Sequence, residues 1–161
     1  NSSMLWKCIP AFVLLLSACM TTQSVPVDTA ITHIGLSERQ DRKELKDLIG
    51  VDPVRTEWCA AFVNAILEIN NIPGSSSVSN VPLMARSFLN WGEEIHPNDI
   101  QYGDVVIFPR GNSEWKGHVG FYAGTFVQTG EWIILGGNQN NEVKYSLYYP
   151  GRALAVRRNK E

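Results

Sequence analysis

Thr56-Glu57-Trp58-Cys59-Ala60-Ala61-Phe62-Val63-Asn64-Ala65-Ile66-Leu67 is the stretch on which the reading of the chain turns. Apolar residues recur at Trp58, Phe62, Ile66 and Ile69, with Cys59, Val63 and Leu67 beside them, so the period is helical and one broad face is buried. Thr56 is placed to cap this helix. Asn70-Asn71-Ile72-Pro73-Gly74 ends it, because proline cannot continue a helix and glycine permits a left-handed exit. Cys59 then stands in the first turn, near unpaired N–H groups and the positive end of the helix dipole, where a thiolate is favoured over a thiol. A lone cysteine on an amphipathic helix can equally be a core residue. The rest of the chain has to decide between these roles.

On the C-terminal side the pattern changes from helical to extended. A further helix is expected over 82–91, with Pro82 in its first turn and Gly92 at its end. Beyond it, residues 104–108, 118–123, 132–135, 143–147 and 153–157 are short β-rich runs separated by Gly, Pro and Asn turns. On the N-terminal side Ser37 can cap a helix over 38–49 whose many charges mark a solvated face, with Gly50 as its stop. Helices first and strands afterwards predict an α+β fold, in which N-terminal helices pack on an antiparallel sheet of about five strands.

The first residues have a different character. Met4 looks like an initiator, which sets Asn1-Ser2-Ser3 apart, and Lys7 is followed by an apolar run from Ile9 to Leu16 that is too short to span a bilayer. Residues 1–18 therefore read as an export signal. Leu16-Ser17-Ala18-Cys19, where the apolar run ends, resembles the bacterial lipobox, and that resemblance implies a lipid on Cys19 after cleavage. Ordinary signal cleavage near Ala18 is the alternative. Residues 19–34 are polar, carry Pro26 and show no period, so they read as a tether to a single domain over 35–161.

Of three cysteines, Cys8 would leave with the signal and Cys19 would be lipidated. Cys59 would remain as the one thiol of the exported chain, which favours a reactive role over a structural one. Formal net charge is −2, there is no basic run, and no second long apolar segment occurs, so neither nucleic-acid binding nor a multi-span membrane role is supported. No histidine or cysteine pair stands at zinc spacing and no cofactor is implied. A catalytic cysteine needs a base, and imidazole is the side chain that can take the thiol proton and return it to a leaving group. His33 falls in the tether and His96 in a connecting loop. His118 heads the run His118-Val119-Gly120-Phe121-Tyr122 and is the candidate, its competing role being a hydrogen-bonded strand-end residue.

Five blocks in order carry a resemblance: Trp58 to Asn64, Ala85 to Gly92, Gly103 to Phe108, Gly117 to Tyr122 and Leu135 to Gln139. Together they resemble the bacterial and phage cell-wall hydrolases of the CHAP (cysteine, histidine-dependent amidohydrolase/peptidase) and NlpC-like papain-fold superfamily. The resemblance covers nearly all of the chain from Arg55 onward, and ahead of Arg55 no family block is recognised. It implies a papain-like α+β fold, peptidoglycan as partner, Cys59 as nucleophile, His118 as base and Asn138 as the polar residue that orients the imidazole. Gln139, Asn140 and Asn141 crowd the same turn, so a shift of one residue would change the third assignment. Trp58 and Trp115 are candidates to line the cleft, core packing being the competing role for Trp58. Gly136 and Gly137 are expected to keep a strand edge open to a peptide stem, or to serve a bulge.

The activity implied is cleavage of a peptidoglycan amide, either within the stem peptide or between N-acetylmuramic acid and L-alanine, through an acyl-enzyme. A non-catalytic wall-binding module and an acyl transferase on the same fold are the alternatives. Export with a lipid on Cys19 would place the chain at the cell envelope, on the periplasmic face of the outer membrane in a host with two membranes, since Met20 rather than Asp follows the cysteine.

Overall fold

A computed structural model describes residues 25–161. The export signal, Cys19 and the first part of the tether lie outside the described residues. Three α-helices come first, α1 (Pro26–Ile31), α2 (Arg42–Ile49) and α3 (Cys59–Ile69). Six strands follow: β1 (Glu93–Ile95), β2 (Val105–Pro109), β3 (Gly117–Thr125), β4 (Trp132–Gln139), β5 (Glu142–Tyr148) and β6 (Ala155–Arg158). They form one sheet in the order β1-β6-β2-β3-β4-β5, antiparallel throughout. The α+β class expected from helices followed by strands is borne out.

α3 is the central helix because its composition leaves it no solvated face. Cys59, Ala60, Ala61, Phe62, Val63, Ala65, Ile66 and Leu67 are all buried, and Asn64 turns its amide to Ser75 and to the carbonyl of Pro82. Its partners on one sheet face are Val105, Ile107, Val119, Phe121, Leu135 and Val143, which alternate with residues of the opposite face as strand geometry requires. That opposite face gathers a second, smaller cluster of Val106, Phe108, Trp132, Ile134 and Val156.

Several boundaries differ from the expectation. The stretch read as tether already belongs to the folded body from Pro26: α1 starts on that proline and buries Val27 and Ala30 completely. Six residues are too few for a period to show in the sequence. α2 begins at Arg42 rather than 38, because Asp41 folds back to accept the Ser37 N–H at 2.9 Å, and it ends on Gly50 in the left-handed conformation (φ 77°). The helix over 82–91 is a 3-10 segment, Ala85–Asn90, that buries Ala85, Ser87 and Phe88. α3 starts at Cys59 itself with no side-chain cap, so Thr56 does not cap it. The sheet also has a sixth strand, Glu93–Ile95, which pairs its glutamates against Arg157 and Arg158 of β6. No described helix is long and apolar enough to cross a membrane.

Candidate functional site

Cys59 opens α3 and His118 stands second in β3, and the packing of α3 on β3 carries both to one end of the sheet. The Cys59 sulfur lies against the backbone there, accepting the N–H groups of Val119 and of Ala60. Val119 is the residue after His118. The thiol is 3 % exposed and the imidazole 5 %. Burial is the largest influence on both, and it acts against charge: the Cys59 thiol is pushed above its ordinary value, and His118 is held down to about 4. The expectation of a thiolate favoured by the helix start is thus reversed in the closed site. Two N–H donors and the Arg110 guanidinium favour the thiolate, but they do not offset its desolvation. Burial thus favours the neutral thiol of Cys59 and the neutral imidazole of His118 at neutral pH.

His118 is oriented by Gln139. The Nε2 of the ring lies 2.9 Å from the Gln139 Oε1, and the Gln139 Nε2 donates to the carbonyls of Ile134 (3.1 Å) and Lys144 (2.6 Å). Two carbonyls can only be met by the NH2 end of the amide, so its oxygen must face the imidazole. That oxygen accepts, hence His118 carries its proton on Nε2. Nδ1 is left as a lone pair, ready to take a proton. Tyr148 stacks on the ring at 5.3 Å and 6°, and Phe108 stacks in turn on Tyr148 at 4.5 Å.

Asn138, the residue expected to orient the imidazole, points elsewhere: its amide reaches Glu57 at a long 3.5 Å. The physical reason is a β-bulge. Continued without interruption, the ladder that sets Phe121 opposite Leu135 would set Asn138 opposite His118. Between Gly136 and Gln139, however, β4 carries one residue more than β5, with Asn138 at φ 55°, so Gln139 takes the place beside His118. Asn140 and Asn141, both at positive φ, then make the two-residue turn into β5.

The two glycines serve this arrangement from beneath. A Cβ on Gly136 would stand 3.3 Å from the Gln139 amide and 3.4 Å from the His118 Nε2, so the glycine leaves room for that hydrogen bond. On Gly137 it would come within 2.6 Å of the Trp58 ring and 2.7 Å of Phe62. Gly137 therefore lets β4 close on α3 and stands in the bulge, which is the second of the two roles expected for the glycine pair. Trp58 is fully buried and donates its indole N–H to Glu38 at 3.1 Å, so it packs the core. Trp115 is 61 % exposed, with Lys116 over its ring, and does line a cavity.

Two cavities meet at the pair. One, of about 380 Å³, is lined by Cys59, Glu57, Leu83, Met84 and Trp115. The other, of about 400 Å³, is lined by Phe108, His118, Gln139, Tyr148 and Arg152. Arg110, at the end of β2, borders both and pairs with Glu57 across the entrance. The loop ahead of His118 is held by Arg86, which donates to the carbonyls of Lys116 (2.8 Å) and Ser113 (2.7 Å).

Arg110, Glu57 and Tyr148 are not among the residues expected at the site, whereas Gln139 is the neighbour that a shift of one residue puts in place of Asn138. Gln139 was visible as a neighbour in the same turn, and Glu57 by standing two residues before the cysteine. Nothing marked Arg110 or Tyr148. His96 stays in its loop, accepting the Asn98 N–H on Nδ1, and His33 packs edge-on against Phe62. Asp104 caps the turn at the Gln101 N–H and is also buried in an ion pair with Arg158 at 2.7 Å. Among the described residues no three His, Cys, Asp or Glu side chains converge as metal ligands would.

No protein-family model matches the sequence, and no curated protein is significantly similar to it. Among solved structures the fold is similar to that of an NlpC/P60 family protein from Bacillus cereus, with a TM-score of 0.53 and 16 % identity over 83 % of this chain. The chain spans 39 % of the length of that neighbour. The α+β, papain-like architecture implied by the five sequence blocks is therefore the one this chain adopts.

Proposed function

We propose that the chain is a cysteine hydrolase that cleaves an amide bond of peptidoglycan. The single observation that carries the reading is the tautomer imposed on His118. Gln139 consumes the Nε2 proton, which aims a free Nδ1 lone pair as a general base at the end of the sheet where the Cys59 thiol sits. The resemblance of the five blocks to cell-wall hydrolases, and a fold shared with an NlpC/P60 family protein, supply the substrate class.

Because both groups rest neutral, the proton leaves Cys59 for Nδ1 as the sulfur attacks the carbonyl carbon. The ion pair then exists only where the reacting amide replaces the missing solvation. First-turn N–H groups of α3, which lack intrahelical acceptors, are placed to hold the oxyanion. The imidazolium returns its proton to the leaving nitrogen, the C–N bond breaks, and water releases the acyl group from sulfur. Cleavage of the stem peptide is the reading we favour over cleavage next to N-acetylmuramic acid, and a lipid on Cys19 would hold the domain at the envelope.

The test is digestion of purified sacculi by residues 25–161, with mass spectrometry of the products. Soluble muropeptides should appear with wild type and be lost with Cys59→Ala and His118→Ala, each checked for folding by circular dichroism. A folded Cys59→Ala chain that digests as well as wild type would end this reading. Metabolic labelling with a fatty-acid analogue in wild type and Cys19→Ala decides the anchor separately.

A further inference from the structure

The two cavities at the Cys59–His118 pair differ in chemistry. On the Cys59 side Leu83, Met84 and Trp115 make an apolar wall with Glu57 at its edge. The His118 side has no acidic residue in its lining but two arginines, Arg110 and Arg152, along with Tyr148 and Tyr149. Arg110 is paired with Glu57, whereas none of the ion pairs among the described residues uses Arg152. Arg152 thus brings a guanidinium that no ion pair uses to a space of about 400 Å³ with no carboxylate in its lining, and Arg110 borders the same space while paired with Glu57.

The direction of the reaction says which half of the substrate occupies that space. Attack joins the acyl half to the Cys59 sulfur, and the proton then leaves His118 for the departing nitrogen. The amine half must therefore lie on the imidazole side. We propose that the cavity beside His118 is the leaving-group site and that Arg110 and Arg152 there bind a free carboxylate on the departing residue. Arg152 supplies the unpaired charge, and Arg110 exchanges Glu57 for the substrate as the entrance opens. The substrate class is thus an amide whose amine component is an amino acid with its own carboxylate free. This rests on the hydrolase reading above and goes beyond it by assigning substrate polarity across the site.

The experiment uses two synthetic peptides that span the bond identified in sacculus digests and differ only in a carboxylate or a carboxamide on the departing residue. Wild type should favour the carboxylate by about tenfold or more in kcat/KM, mostly through KM, as expected for a charge-assisted contact. Arg152→Gln should collapse that ratio toward one, and Arg152→Lys, which keeps the charge without the fork, should retain part of it. A wild-type ratio near one, or a full ratio in Arg152→Gln, overturns the assignment while digestion of sacculi leaves the hydrolase reading standing. A chain that digests no sacculi removes both.

Discussion

One hydrogen bond, from the His118 Nε2–H to the Gln139 Oε1, orients the imidazole. Removing it with Gln139→Ala frees the ring to turn and orphans the carbonyls of Ile134 and Lys144, so turnover should fall roughly tenfold or more and stability by about 1–3 kcal/mol. Asn138→Gly keeps the positive φ of the bulge and loses only a 3.5 Å contact, so it should digest sacculi nearly as wild type does. Turnover and urea unfolding of the two variants together make the check, and a larger loss in Asn138→Gly would reverse the assignment. The placements of Cys59 and His118 could be read from sequence because each is local, one in the first turn of a helix and the other at the head of a strand. The residue that reaches the imidazole could not, because a single bulged residue moves every later side chain and nothing in Gly136-Gly137-Asn138-Gln139 says where the ladder slips. Nor did the sequence show that burial outweighs the helix dipole at Cys59, since desolvation depends on everything packed around the thiol.

At the scale of elements, the contact between β4 and α3 is closed by Gly137. Gly137→Ala would drive a methyl into the Trp58 ring and the Phe62 Cβ, neither of which can yield cheaply, because Trp58 is pinned to Glu38 and Phe62 is in the helix. A loss of about 1–3 kcal/mol is expected, read as a lower urea midpoint at unchanged slope. Gly136→Ala meets its neighbours at 3.3 Å, more gently, and should act on activity through the His118–Gln139 pair rather than on the core. The elements missed in the sequence share a cause. Pro26–Ile31 and Glu93–Ile95 are shorter than any period that would reveal them, and both exist through tertiary partners, α3 and β6. The long α3 and the apolar strands β2 to β4 showed in the sequence because burial on both sides leaves a dense apolar record.

For the whole molecule, pH dependence follows from the buried imidazole. His118 titrates near 4 when folded and near 6.5 when unfolded, so between those values the unfolded chain binds more protons. Stability is complete above pH 6.5 and declines as pH falls toward 4, by on the order of 3 kcal/mol from this group. His118→Gln should flatten that slope in urea titrations at pH 4 to 7. Cys59 works at the other end, since a raised folded pKa means stability is lost once pH rises past the unfolded thiol value. The sheet order has its own consequence, for the route by which the chain folds. β2, β3, β4 and β5 form a meander of near neighbours, but β1 joins β2 only through β6, and Val106 must find Val156, fifty residues away along the chain, to bring β6 in. Closing so large a loop is slow compared with zipping a hairpin. The ribosome must therefore have released Arg158 before β2 gains its second neighbour, and refolding should show amide protection in β2 to β5 ahead of β1 and β6.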